Sequence, residues 1–121
     1  MATVSAYSAA EPFVTKDGSL VRELMHPARH ESRAQSLAEA VVPVGSETML
    51  HRHRTSEELY HFTSGSGIMT LAAETFAVQR GDTVCIRPGT PHRVQNTGTG
   101  PLVILCACAP PYSHDDTELL D

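Results

Sequence analysis

Residues 45–65 read GSETMLHRHRTSEELYHFTSG, a stretch that holds two histidines and a nearby carboxylate at regular spacing. His51 and His53 are two positions apart in a strand-like run, so their side chains should point to the same face. The next run offers two adjacent glutamates, and parity favours Glu58 because it shares a face with the aromatic Tyr60. The more apolar face of a strand is the inner one, so Glu58 is predicted to lie beside the histidines.

A second stretch, residues 81–96, reads GDTVCIRPGTPHRVQN and carries another histidine. The turn of proline and glycine at residues 88–91 should deliver His92 rigidly onto a further strand.

With these residues the chain resembles the cupin superfamily, in particular its small single-domain members. The first cupin motif has the form GxxxxxHxH, then E, then G, and is met by Gly45, His51, His53, Glu58 and Gly65. The second motif has the form GxxxxxPxG, then H, then N, and is met by Gly81, Gly89, His92 and Asn96. Arg87 stands where the family usually has proline, but Pro88 follows directly and should preserve the turn. The resemblance implies a jelly-roll barrel with the site near one mouth, and commonly a homodimer.

The remaining chain also predicts an all-β fold, an antiparallel sandwich or barrel, and the resemblance implies that it is an antiparallel double-stranded β-helix (jelly roll) of six to ten strands. Short apolar or alternating runs are separated by turns rich in glycine and proline, and the one segment with helical potential, residues 26–38, is expected to form a loop or a single turn. We expect an N-terminal arm and first strand in residues 1–35, the barrel in 36–110, and a C-terminal tail on the surface in 111–121.

The residues and the resemblance agree on one divalent transition metal per chain, held by His51, His53, Glu58 and His92. This mixed set suits Mn, Fe, Co, Ni, Cu and Zn, and the sequence does not choose among them. An octahedral ion would keep two positions open for a ligand, whereas a tetrahedral zinc would be closed and structural. Tyr60 is a candidate proton donor, and Arg54 is the candidate contact to substrate. Met49 is predicted to form part of the pocket wall.

The predicted function is therefore that of a metal-dependent enzyme of isomerase, epimerase or oxygenase type, acting on a small oxygenated metabolite that chelates the metal. The alternative is a cupin that binds or senses a small ligand without turning it over, since fold does not fix function.

The amino-acid composition indicates which binding partners and which cellular compartment to expect. The 121 residues carry nine basic and fourteen acidic side chains, a formal net charge of −5 that disfavours nucleic acid as a partner. No apolar run approaches the roughly 20 residues of a membrane span, and the N-terminus has neither a basic start nor an apolar run. An odd count of three cysteines does not make a disulfide framework. We therefore expect no membrane association and a cytoplasmic location.

Overall fold

The computed structural model describes residues 2–120 as two antiparallel β-sheets packed against each other. Met1 and Asp121, the ends of the predicted arm and tail, lie outside the described residues. The strands are β1 (Phe13–Val14), β2 (Leu20–Met25), β3 (Ser36–Val42), β4 (His51–His53), β5 (Glu57–Ser64), β6 (Ser66–Leu71), β7 (Glu74–Gln79), β8 (Thr83–Ile86), β9 (His92–Asn96), β10 (Leu102–Ala109) and β11 (Thr117–Leu119).

The strand order is that of an all-β jelly roll, as the sequence predicts. One sheet has the order β1-β2-β3-β10-β5-β8 and the other β11-β4-β9-β6-β7, with antiparallel pairing throughout. Eleven described strands exceed the expected six to ten, because a two-residue β1 and a three-residue β11 are too short to leave a periodic pattern.

The core lies between the two sheets and follows from strict alternation. In β5 and β10 every second residue is buried, which sends Phe62 and Ile104 inward from one sheet to meet Met69 and Val94 from the other. Each of these four side chains is at most 1 % exposed. Burial of such a side chain contributes about 1.5–3 kcal/mol, so the two sheets are held together mainly by this layer.

The C-terminal segment differs from the expectation of a surface tail. Residues Thr117–Leu119 form β11, which pairs with β4 so that Thr117 lies opposite His53. The side chain of Asp116 accepts hydrogen bonds from the backbone N–H groups of Thr55 (3.0 Å) and Ser56 (3.2 Å). The sequence gives little sign of this strand because three residues show no periodicity and the pairing spans more than sixty positions.

The N-terminal segment holds two strands rather than the one expected. A turn over residues 15–19 joins β1 to β2, and β2 then pairs with β3. Residues 26–34 form a loop with a single turn, in which the His30 N–H donates to the His26 carbonyl at 2.8 Å. Among residues 2–120 there is no helix with the length and apolar character needed to cross a membrane.

Candidate metal centre

Two neighbouring strands bring three histidines together. His51 on β4 lies opposite His92 on β9, and His53 follows two residues later on the same face of β4. All three are buried, with exposures of 2 %, 4 % and 0 % for His51, His53 and His92. One ring nitrogen from each lies within 4.8 Å of the other two, close enough for the three to bind one metal ion.

Backbone carbonyls fix the orientation of two of these rings. His51 Nδ1 lies 2.8 Å from the carbonyl oxygen of Met49, and His92 Nδ1 lies 2.9 Å from that of Thr90. A carbonyl can only accept, so Nδ1 carries the proton in both rings and Nε2 presents a lone pair. Hydrogen bonds of this kind orient histidine ligands in metal sites.

The Thr117 hydroxyl fixes the orientation of the third ring, that of His53. This hydroxyl donates its one proton to the Ser113 carbonyl at 2.9 Å, and it lies 2.9 Å from His53 Nδ1. The hydroxyl must therefore accept from His53 Nδ1–H, so the neutral form of this ring has its lone pair on Nε2. All three Nε2 atoms are thus available as ligands.

Glu58 completes a cluster of acceptors. Its Oε1 lies 3.0 Å from His53 Nε2 and 3.6 Å from His92 Nε2, while its Oε2 accepts from the Cys108 thiol at 3.2 Å. Both Glu58 Oε1 and His92 Nε2 are buried without a hydrogen-bond partner among the described residues. Buried polar atoms left in this way require an explanation, and a cation shared by the lone pairs supplies one. The donor set therefore fits a divalent transition metal.

Burial and mutual contact also shift the pKa values of these groups. Burial and the neighbouring His92 lower the pKa of His51 to about 4, so this ring stays neutral near pH 7. Burial alone would lower the pKa of His53, but the contact with Glu58 outweighs it and raises that pKa. Burial would raise the pKa of Glu58, but the contacts with His53 and His92 prevail and lower it to about 2. Glu58 is consequently a carboxylate.

A cavity of about 50 Å³ borders the site. The two sheets supply an apolar wall that includes Val42, Val94 and Ile104, and β5 adds Tyr60. Burial raises the pKa of Tyr60 well above its usual value, so its hydroxyl keeps its proton. No lysine or arginine lines this cavity among the described residues. An anion bound in this cavity would therefore pair with no lysine or arginine of the described residues.

The structure does not bring every predicted residue to the site. Arg54 is exposed, outside the cavity lining, and its guanidinium donates to the Asp115 carbonyl at 2.5 Å. The prediction that Met49 forms part of the pocket wall is wrong, since Met49 is 53 % exposed. Strand β4 begins only at His51, so strand alternation does not extend back to residue 49.

Sequence reasoning missed three contributors to the site. Cys108 donates to Glu58, Thr117 orients His53, and Asp17 places Oδ2 3.5 Å from His51 Nε2. Each reaches the site from a part of the chain more than thirty residues from its partner. Parity along β10 could have indicated that Cys108 faces inward, but no local pattern marks Thr117 or Asp17.

The jelly roll and its buried cluster of histidines define a cupin. The family model described as "Cupin domain" matches residues 38–108, which is more than half of the chain. The chain belongs to this family.

Among its relatives, the "Uncharacterized protein MJ1618" of Methanocaldococcus jannaschii is 56 % identical over 115 residues, covering 95 % of this chain and 92 % of that protein. The "Oxalate-binding protein" of Thermotoga maritima is 29 % identical over 86 residues, covering 71 % of this chain and 67 % of that protein. The oxalate decarboxylase of Lactobacillus farciminis, solved as a formate complex, superposes with a TM-score of 0.81 at 24 % identity over 93 % of this chain. This chain spans 34 % of that enzyme's length.

Proposed function

We propose that the protein binds one divalent transition metal through His51, His53, Glu58 and His92, and that the metal holds a small oxygenated molecule in the adjoining cavity. The observation that carries the proposal is the buried convergence of three histidine ring nitrogens beside the Glu58 carboxylate, with Glu58 Oε1 and His92 Nε2 unpartnered among the described residues. Mn, Fe, Co, Ni, Cu and Zn remain candidates for the metal.

The activity that this site supports best is metal-dependent turnover of the bound molecule, by isomerase, epimerase or oxygenase chemistry. A bound metal with two open positions would polarise or chelate oxygen atoms of the substrate. Tyr60, whose hydroxyl keeps its proton, can donate a hydrogen bond or a proton to an oxygen in the cavity. The apolar wall excludes bulk water, which strengthens such interactions.

The size of the cavity limits the substrate. A water molecule needs about 10–15 Å³ on the same measure, so about 50 Å³ accepts a molecule of only a few non-hydrogen atoms without movement of the wall. Small dicarboxylates, keto acids and hydroxy acids have this size and chelate metals through two oxygens. Sugar phosphates and phenols would need the wall to open.

A second candidate function is binding without turnover. It is favoured by the relative named as an oxalate-binding protein, which covers 71 % of this chain at 29 % identity. The exposed position of Arg54 also favours binding without turnover, because this candidate catalytic residue does not reach the cavity. Arg54 could contact a bound substrate only if its contact with the Asp115 carbonyl were broken.

One experiment separates the two candidates. We would load the metal-free protein in turn with Fe(II), Mn(II), Ni(II) and Zn(II), and offer each form oxalate, keto acids, hydroxy acids, sugar phosphates and phenols with and without oxygen. The proposal predicts that at least one small chelator binds the loaded protein, and that turnover accompanies binding. Binding without turnover in every form supports the second candidate.

The matched control is His61→Ala, because His61 is exposed on the outer face of β5 and lies away from the cluster. It should bind the same ligand as the wild type, whereas His92→Ala should not. Equal ligand binding by His92→Ala would contradict both candidates. The expected cytoplasmic location and homodimer remain part of the proposal.

A further inference from the structure

Asp17 reaches the metal centre from outside both sequence motifs. It lies in the turn between β1 and β2, and its backbone carbonyl accepts from the Met49 N–H at 2.8 Å. This contact ties the turn to the segment that leads into β4. The side chain of Asp17 is 12 % exposed and lines the cavity.

The turn holds the carboxylate in one orientation. Asp17 Oδ1 accepts from the Thr15 hydroxyl at 2.7 Å, from the Ser19 N–H at 2.9 Å and from the Ser19 hydroxyl at 2.7 Å. These three bonds occupy one oxygen and direct the other toward the centre, where Oδ2 lies 3.5 Å from His51 Nε2. The oxygen that faces the histidine is therefore not the one that stabilises the turn.

Asp17 Oδ2 and His51 Nε2 face each other as two ligands of one metal would, and not as the donor and acceptor of a hydrogen bond. His51 Nδ1 donates to the Met49 carbonyl, so its Nε2 offers a lone pair to an oxygen that can only accept. Two ligand atoms at about 2.1 Å from one metal lie about 3.0 Å apart at a right angle and about 3.4 Å apart at the tetrahedral angle. The separation of 3.5 Å is close to this range and matches the 3.6 Å between Glu58 Oε1 and His92 Nε2.

We propose that Asp17 Oδ2 is a fifth protein ligand of the metal, on the side of the histidine cluster that Glu58 does not contact. The inference rests on the proposed metal site and refines it. Two carboxylates balance the charge of a divalent ion, and five protein ligands leave one open position on an octahedral ion. A molecule that chelates through two oxygens must then displace Asp17, so the turn over residues 15–19 controls access to the metal.

The variant Asp17→Asn tests the proposal because its Oδ1 can still accept the three hydrogen bonds that shape the turn. We expect its affinity for Mn(II) to fall at least tenfold relative to the wild type. The number of exchangeable waters on bound Mn(II), measured by magnetic resonance, should rise from one to two. Oxalate should bind the Mn-loaded variant more tightly than the Mn-loaded wild type, since no protein ligand has to leave.

Asp115→Asn is the matched control, since it removes the same charge from an exposed side chain and should leave all three readouts unchanged. Asp17→Glu, which retains a carboxylate, serves as the second variant, and thermal unfolding of the metal-free proteins shows whether each is folded. An equal number of bound waters in the wild type and in folded Asp17→Asn would overturn the proposal, even if the lost charge weakens affinity. A wild type that binds neither Mn(II) nor any of Fe(II), Co(II), Ni(II), Cu(II) and Zn(II) would instead refute the metal site itself.

Discussion

At the scale of single residues, the three histidines differ in how strongly protons compete with a metal for them. In the metal-free protein His51 is kept neutral by burial, with a pKa of about 4, whereas the contact with Glu58 raises the pKa of His53 above 6.5. A metal must therefore displace a proton from His53 but not from His51 near pH 6.

The first prediction concerns this displaced proton. Below the pKa of His53 the proton and the metal compete for the same Nε2, so the apparent Kd for metal should rise about tenfold for each unit by which the pH falls. The number of protons that binding releases at pH 6 should include the one from His53, and this number should fall when binding is measured well above the pKa of His53. Calorimetry in two buffers of different ionisation enthalpy measures this number. Affinity that is unchanged from pH 5.5 to 8 would show that His53 is not a ligand.

The alternation of side chains along the strands also explains which residues of the site the sequence could predict and which it could not. The alternation of β4 and β5 correctly placed His51, His53 and Glu58 on the inner face, because regular strands alternate strictly. Parity failed for Met49, which precedes the strand. It had no bearing on Asp17, because the approach of a distant turn leaves no periodic signal in the chain.

At the scale of elements, the short strand β11 supports the site although it was expected to be a surface tail. Among the described strands it pairs with β4 alone, and Thr117 is the one of its three residues that is buried. Its hydroxyl is the partner of His53 Nδ1. A residue that orients a metal ligand affects metal binding without touching the metal.

The second prediction is that Thr117→Val weakens metal binding about tenfold, the lower end of the effect usual for such supporting residues. Valine has the same shape but cannot accept the hydrogen bond from His53. The control Thr117→Ser keeps the hydroxyl and should bind metal within about twofold of the wild type. Titration with Mn(II) measures both, and wild-type affinity in Thr117→Val would show that β11 has no part in the site.

The third prediction compares two glycines of the cupin motifs. Gly65 and Gly81 have similar positive φ angles of 89° and 95°, but a Cβ at Gly65 would lie 2.6 Å from the Pro101 carbonyl oxygen while one at Gly81 would meet nothing within 4 Å. Both alanine variants incur left-handed strain of about 1–2 kcal/mol. Gly65→Ala should lose about 1–3 kcal/mol more because the neighbouring backbone must move. Denaturant unfolding measures the difference, and equal losses would contradict the close approach.

At the scale of the whole molecule, an apolar row crosses the outer face of the larger sheet. Ala107 on β10 lies opposite Leu37 on one side and Leu59 on the other, and Leu59 lies opposite the exposed Cys85. Leu37 and Leu59 are 38 % and 42 % exposed. The alternation of β5 places Leu59 on the outer face, but the row exists only through pairings between distant strands.

The fourth prediction is that the protein is a homodimer through this row. Leu59→Arg should shift the sedimentation coefficient from that of a dimer to that of a monomer, because burying an unpaired charge in an interface is costly. Val44→Arg is the control, since Val44 is also exposed, at 53 %, but lies outside the row. A wild type that sediments as a monomer at all concentrations would contradict the prediction.

The jelly roll was predictable from the sequence because its two motifs and its turns are local, whereas the fine structure of the site depends on segments that arrive from both ends of the chain. The core should be large enough for the protein to fold without metal. Asp17 and Thr117, which come from those segments, touch or orient the histidines. The candidate metal centre is thus a property of the whole fold rather than of the motifs alone.

The central claim is that one divalent metal binds at the buried cluster of His51, His53, Glu58 and His92. Its most direct test is the metal content of the wild type and of His92→Ala after reconstitution with Mn(II) and removal of free metal, with His61→Ala as the matched control. We predict about one equivalent per chain in the wild type and in the control, and close to none in folded His92→Ala. A wild-type content near zero after reconstitution with Mn(II) and with each of the other candidate metals in turn, or an equal content in His92→Ala, would contradict the account.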